Sequence, residues 1–344
     1  TLAQNAEICG IYGISFWVVL INILLFNFLV HPYPKNSFGA ISIFILPWLT
    51  GLWLTPQVHT GNASSLDVAV VQPNIHLSQK WKPGGARGNI ASLIKLSEPA
   101  IEDNVDLIVW PESATSVNIL RGNPYNLNRI QSSLDDTKLI SGIPYNSGSN
   151  LNRLVYNSVV MISSDSVSEL YHKIKLVPMA EYIPLSEYFP FLKKFTLGIL
   201  GNCTRGEEYT LYDIKNTKLA PMVCIESTFP SLNREFVKQG AEVLVYVVND
   251  GWYEQPPGPQ QHARQAVYRA IENRRPVIRC TNTGVSMIID AGGNISHKLP
   301  LNKKGIIQAT IKPQNMATFY TRHGDIFAKM NVLVSLLFIL GGMI

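Results

Sequence analysis

LAPMVCIESTFPSLNREFVKQGAEVLVYVV (Leu219 to Val248) reads as a strand, a helix and a second strand in direct succession. Leu219 to Cys224 is an apolar run closed by a cysteine, Pro230 to Gln239 fits a helix, and Val243 to Val248 is strongly β-branched. The same alternation continues on both sides. Leu66 to Val71 predicts a buried strand, followed by a Pro/Gly-rich loop holding Trp81, a helix over Ala91 to Asn104 and a strand over Val105 to Trp110. Leu139 to Ile143, Leu154 to Ile162 and Glu169 to Tyr171 read as further strands, the last two possibly a hairpin. Gln260 to Asn273 carries Ala263, Ala266, Val267, Ala270 and Ile271 on one helical face. Pro276 to Cys280, Val285 to Asp290 and Ile306 to Ile311 complete the strand set. Strands alternating with helices predict an α/β domain with strands buried on both faces.

Composition adds a second theme. Of 344 residues, 46% are hydrophobic and only 15% charged, against about 25% charged in an ordinary soluble domain. Ile11 to Val30 carries no charge, and as a helix it would span roughly 30 Å, a bilayer core. Phe38 to Leu54 is also uncharged, interrupted by Pro47 and Gly51, and Asn331 to Ile344 is a shorter third run. A cleaved signal peptide does not fit the first run, which lacks a basic leader and is followed by a second apolar run. The expected division is therefore 1–56 membrane helices, 57–318 a catalytic domain, and 319–344 a return to the membrane. Because the chain opens at Thr1 and enters an apolar run almost at once, further membrane segments upstream are expected.

The net charge of +5 comes from scattered basic residues without a stripe or aromatic platform, which argues against a nucleic-acid partner. Four cysteines (Cys9, Cys203, Cys224, Cys280) show no CxxC, and seven histidines no HExxH, so no metal and no cofactor are expected. Phe189 to Gly201 (FPFLKKFTLGILG) is unusually apolar for a connection. It reads either as a core-packing loop or as one dipping toward lipid.

Three side chains then stand out. Cys224 closes its strand just before a helix, and such a turn exposes a nucleophile beside free backbone N–H groups. Those donors suit an oxyanion, each worth about 3 kcal/mol of barrier. Glu112 follows a strand stopped by Trp110 and Pro111, where apolar neighbours would raise its pKa toward a useful base. Lys173 sits just past the Leu170–Tyr171 strand end, and Glu181, eight residues on, could reach back into the same place. Each has an unremarkable reading too, as a packed thiol, a surface carboxylate or a solvated lysine.

VWPES (Val109 to Ser113), YHKIKLVPMAEYIP (Tyr171 to Pro184), MVCIES (Met222 to Ser227) and VVNDGWY (Val247 to Tyr253) resemble the signature segments of the nitrilase, or carbon-nitrogen hydrolase, superfamily. The resemblance covers roughly Asp67 to Ile311, and within that superfamily it is strongest to the apolipoprotein N-acyltransferases of bacterial membranes. It implies a nitrilase-like α-β-β-α sandwich flanked by transmembrane helices. It further implies Glu112 as general base, Lys173 as stabiliser of the tetrahedral intermediate and Cys224 as nucleophile. Glu181, Glu226 and the Ile225 amide would support the site. Trp81 and Trp252 would sit on loops beside a lipid entrance, with Asn249, Tyr253 and Arg205 among the substrate-binding residues. Two positions depart from the pattern: Ile225 stands where an aromatic residue is common, and Asp250 where asparagine is frequent.

The resemblance implies acyl transfer from a membrane phospholipid, through a cysteine thioester, to the amine of a diacylglyceryl-cysteine lipoprotein. The expected partners are those two substrates and the bilayer, with the chain a monomer in the bacterial inner membrane. A short loop carrying His31 and Lys35 between the first two apolar runs predicts a cytoplasmic loop and a periplasmic catalytic domain. Two other readings are a soluble amidase using the same triad on a small amide and a catalytically silent membrane scaffold.

Overall fold

The computed structural model describes residues 1–30, 34–55, 64–121, 124–148, 153–186, 188–189, 191, 202–253 and 256–342. Among them, twelve strands form two six-stranded mixed sheets. The first sheet holds β1 (Leu66–Gln72), β2 (Leu107–Val109), β3 (Lys138–Ser147), β4 (Leu154–Ile162) and β5 (Tyr171–His172), with β12 (Gly305–Ile311) on the far edge beside β1. The second runs in the order β11 (Ile295–Leu299), β10 (Ser286–Ile289), β9 (Val277–Thr281), β8 (Val243–Val248), β7 (Thr217–Val223) and β6 (Tyr212–Ile214). In each sheet three neighbouring strands are parallel (β1, β2, β3 and β7, β8, β9), and antiparallel strands flank them. The predicted hairpin forms, with Ser158 opposite His172 and Val159 opposite Tyr171.

Alternation along β1 explains the layering. Val68 and Val70 point into a core shared with Val245, Val247 and Ile278 of the second sheet, so the two sheets pack face to face. Ala69 and Val71 point the other way, toward Ile90 and Leu93 of α4 (Gly85–Glu102) and Ile130 of α5 (Tyr125–Gln131). On the outer side of the second sheet, α6 (Pro230–Lys238) contributes Leu232 and Phe236, and α7 (Gly258–Asn273) contributes Ala263, Ala266 and Ala270. The result is helix, sheet, sheet, helix, as expected.

The apolar runs are helical: α1 (Ala6–Val30), α2 (Pro34–Trp53) and α9 (Ile326–Gly341). Among the described residues, only Leu2–Val30 is both long and apolar enough to cross a bilayer by length and composition; the apolar parts described for the other two are shorter. Their side chains face outward, with Leu29, Trp53 and Phe338 about four-fifths exposed at 78%, 83% and 77%. Phe327 of α9 packs edge-on against Phe16 of α1, and Trp17 of α1 stacks on Phe44 of α2. Gly10 breaks α1 with φ 65°, and Tyr320 of α8 (Phe319–His323) fills the space where a Cβ would sit. At that break Ile11 N–H donates to Glu272, and Arg274 pairs with Glu7 and bonds to Gln4, so α1 is bolted to the end of α7.

Some boundaries differ from expectation. α4 starts at Gly85, six residues earlier than its apolar face suggested, while a short helix α3 (Leu77–Lys80) sits inside the expected loop. β6 and β11 were not foreseen; the residues of β11 are almost all exposed and carry no alternation to read. The Phe189 to Gly201 stretch lies largely outside the described residues, although Phe189 and Phe191 are both exposed.

A core truncation should confirm the load on the shared layer. Ile278→Ala, at a fully buried position of β9, should cost roughly 2–5 kcal/mol and lower the unfolding midpoint in detergent. Ile295→Ala on exposed β11 should stay within about 0.5 kcal/mol of the parent.

Candidate active site

Glu112, Asn249 and Cys224 all lie just past the carboxyl ends of parallel strands β2, β8 and β7, so both sheets deliver side chains to one rim. Trp110 and Pro111 carry the chain from β2 to Glu112. Trp110 is buried and its indole N–H donates to Ser97 on α4 at 3.0 Å, which fixes the exit of the strand. The turn that follows lies flat against β3. A Cβ on Gly142 would come within 2.6 Å of the Glu112 Cα, and Ala114 N–H bonds to the Gly142 carbonyl at 2.7 Å.

Lys173 directly follows β5 and is almost wholly buried. Its Nζ lies 2.8 Å from Glu181 Oε1 and 3.8 Å from Glu112 Oε1. Asn157, on β4, completes this group. Its amide Nδ2 donates to Glu112 Oε1 at 2.7 Å and to Glu181 Oε1 at 2.9 Å, while its main-chain carbonyl accepts from the Lys173 main-chain N–H. Glu181 turns its other oxygen to the Val177 N–H. Glu112 Oε2 is different: it is buried and has no hydrogen-bond partner among the described residues.

Cys224 holds φ 53°, a left-handed conformation that costs a non-glycine residue about 1 kcal/mol or more, so its surroundings must impose it. Two buried clamps do so. Glu226 accepts from Val223 N–H on one oxygen, and from Ile174 N–H, Lys175 N–H and the Tyr171 hydroxyl on the other. It therefore ties the cysteine turn to the segment carrying Lys173. On the opposite side the Cys224 carbonyl accepts from Ser227 Oγ and lies 3.1 Å from His262 Nε2. His262 in turn meets Asp250 at 2.7 Å, and Arg279 holds the second Asp250 oxygen at 2.7 Å. Asp250 thus anchors a buried His–Asp–Arg row under the thiol turn. Cys224 also opens a 3-10 turn (Cys224–Thr228), whose first amides, that of Ile225 included, lack partners within the turn.

Electrostatics follow from this crowding. Burial pushes the Cys224 thiol well above its ordinary value; Glu112 adds to the rise, and Lys173 opposes it. Burial also raises Glu112, countered by Lys173 and helped upward by Glu181. Burial works against the Lys173 charge, but Glu112 and Glu181 outweigh it and hold the ammonium charged. Asp250 is kept below the carboxylate range; burial opposes this, and Arg279 overcomes it.

The supporting residues divide. Glu181, Glu226 and the Ile225 turn lie at the cluster. Asn249 is buried and accepts from Asn282 at 3.2 Å. Tyr253 stands half-exposed within electrostatic reach of the thiol, and Trp252 is also exposed. Trp81 lines a cleft of about 560 Å³ together with Ser116, Val117, Tyr145, Arg153 and Val155. Its walls are continuous in sequence with the Glu112 turn and with β4 near Asn157. Arg205 is exposed and its charge acts on Tyr209. Sequence reasoning missed Asn157, Lys80, His262 and Arg279. Asn157 left one usable trace, a polar side chain inside the apolar run VYNSVVMI. Among the described residues no group of His, Cys, Asp and Glu is arranged to hold a metal.

Residues 67–320 match the family described as carbon-nitrogen hydrolase. The chain belongs to this family. Similar curated proteins carry one name: it is 33% identical over 340 residues to an apolipoprotein N-acyltransferase of Geobacter metallireducens, covering 95% of this chain and 64% of that one. A second, from Chlorobaculum tepidum, is 30% identical, covering 94% of this chain and 67% of the relative. The chain thus spans about two thirds of the length of these relatives. Among solved structures, Saccharomyces cerevisiae Nit3, of branch 10 of the nitrilase superfamily, superposes with TM-score 0.55 at 20% identity, over 73% of this chain and 91% of Nit3. A Nesterenkonia amidase reaches 0.56 at 15% identity, over 79% and 99%. These structures share the two-sheet carbon-nitrogen hydrolase fold.

Asn157→Leu should leave both carboxylates with Lys173 as their one buried side-chain donor. At about 1.5–3 kcal/mol for a hydrogen bond to a charged group, alkylation of Cys224 at pH 7 should slow roughly ten- to a hundredfold. Peptide-resolved mass spectrometry after a timed iodoacetamide pulse measures this; an unchanged rate would remove Asn157 from the site.

Proposed function

We propose that this chain moves a fatty acyl group from a membrane phospholipid to the α-amine of a diacylglyceryl-cysteine lipoprotein, with Cys224 as the covalent relay. The observation that carries the reading is the buried, unpartnered Oε2 of Glu112 in the electrostatic field of the Cys224 thiol. A desolvated carboxylate with one oxygen held and one free is poised to take a proton.

Glu112 removes the thiol proton as sulfur attacks the phospholipid ester carbonyl. The oxyanion that forms is met by the Lys173 ammonium and the Ile225 N–H, fixed donors in a site from which water is largely excluded. Collapse breaks the ester C–O bond, and the proton on Glu112 passes to the departing lysophospholipid oxygen. The thioester keeps its acyl group activated and yields readily to an amine. The lipoprotein amine then attacks, its proton passes through Glu112 to the sulfur, and the amide leaves with the thiol restored.

The relatives' shared name supports the lipoprotein acceptor, and the exposed apolar faces of α1, α2 and α9 support the lipid donor, since water would not tolerate so much uncovered leucine and phenylalanine. In this reading the three helices lie in the inner membrane, 1–56 and 319–344 are the membrane parts, and 57–318 faces the periplasm. The half-exposed Trp252 and Tyr253, with Trp81 in its cleft, line the route by which lipid reaches the thiol. An amidase acting on small amides uses the same triad but gives no reason for those uncovered helices.

Two substrates handled in sequence by one thiol require ping-pong kinetics. Varying phospholipid at several fixed concentrations of a diacylglyceryl-cysteine peptide should give parallel double-reciprocal lines, and intersecting lines would exclude the relay. The base must be ionised to act, and burial raises Glu112, so activity should rise with pH through a limb above the ordinary glutamate value of about 4.3. A pH–rate profile checks this.

A further inference from the structure

Lys80 is a buried cation that the reaction scheme does not use. It ends α3, immediately before Trp81, and is only 2% exposed. Its Nζ donates to the Glu112 carbonyl oxygen at 2.7 Å and stands 6.0 Å from the centroid of the Trp81 ring. The main chain around it is held to the same place. Asn89 Nδ2 reaches both the Lys80 carbonyl and Ser116 Oγ, joining α3 to the turn beyond Glu112. At the other end of the segment, Asn282 brackets Ile75 through both its amide atoms and also bonds Asn249.

We infer that Lys80 is a positioning residue for the proposed base, holding the Glu112 main chain in place while its charge keeps the Glu112 carboxylate ionised. This rests on the reading of Glu112 as base. The argument is one of charge. Glu112 and Glu181 bring two negative charges into a buried space, and Lys173 supplies one positive charge. With Lys80 present the four groups sum to zero. Without it the cluster carries a net negative charge, and the least costly remedy is to take a proton from solvent onto Glu112. A base that begins protonated cannot accept the proton of Cys224. Burial lowers Lys80 and Glu112 opposes the drop, leaving it at about 8, so the ammonium is still mostly charged at neutral pH. The titratable groups facing Glu112 are Lys80 from α3, Lys173 past β5, Glu181 and Cys203 from the stretch that follows β5, and Cys224 past β7. The cation also sits beside the tryptophan that lines the open cleft, which joins the substrate wall to the state of the base.

The test is the pH dependence of Cys224 alkylation by iodoacetamide in the whole detergent-solubilised chain, resolved by peptide mass spectrometry. Lys80→Gln keeps a donor for the Glu112 carbonyl but removes the charge, and Lys80→Met provides a second neutral arm should the first not fold. Either neutral variant should move the acid limb upward by about one pH unit, which is roughly tenfold slower alkylation on that limb. Lys80→Arg should restore the parent's midpoint. A neutral variant and Lys80→Arg sharing the parent's midpoint, whatever their absolute rates, would overturn the inference. Glu112→Gln separates the two readings. Loss of the limb in that variant supports Glu112 as base, whereas a limb that survives it removes the base and with it the role of Lys80.

Discussion

The contact on which the rest depends is the ion pair between Lys173 and Glu181, with Glu112 3.8 Å away and Asn157 bridging the two carboxylates. Every one of these groups is almost fully withdrawn from water. A lone buried charge is costly, and removing one partner of such a pair typically destabilises by about 3–5 kcal/mol. The cluster therefore persists only as a set. Its members come from β4, from the ends of β2 and β5, and from the loop beyond β5, so the first sheet must close in its observed register before any of them is satisfied.

The second sheet contributes the strained partner. Cys224 is held in a conformation it would not choose, between Glu226 on one side and the His262–Asp250–Arg279 row on the other. Glu226 is one link between the sheets, since it holds both Val223 in β7 and the amides that follow Lys173. Strain at Cys224 and burial of Glu112 are thus two outcomes of one packing arrangement. Folding free energy from the shared apolar core holds together groups that would separate in water.

Much of this was legible in the chain. VWPES, YHKIKLVPMAEYIP and MVCIES each put a chemically useful side chain just past an apolar run, and strand ends are where a sheet can present such groups. The strand and helix order followed from periodicity because β1, β7 and β8 are nearly uniformly apolar and α7 has a clear apolar face. Other features left no local signal. Asn157 and Lys80 act through partners far away in sequence, and an asparagine in a strand or a lysine in a polar loop looks ordinary until the carboxylates it meets are placed. β6 and β7 turn at Lys215 and Asn216, both at positive φ, a hairpin cue that lies in a polar stretch. Asp250 read as a departure from a family pattern, and its reason emerged only with Arg279 and His262 in position.

In the proposed reaction the free oxygen of Glu112 takes the proton of Cys224 and lets the sulfur accept an acyl group. The most direct measurement is the mass of the Cys224 peptide after the chain is incubated with phospholipid and no acceptor amine. One added fatty-acyl mass on Cys224 is expected, discharged by an added amine and absent from Glu112→Gln. An acyl mass located on another residue, or an equal yield in Glu112→Gln, would contradict it.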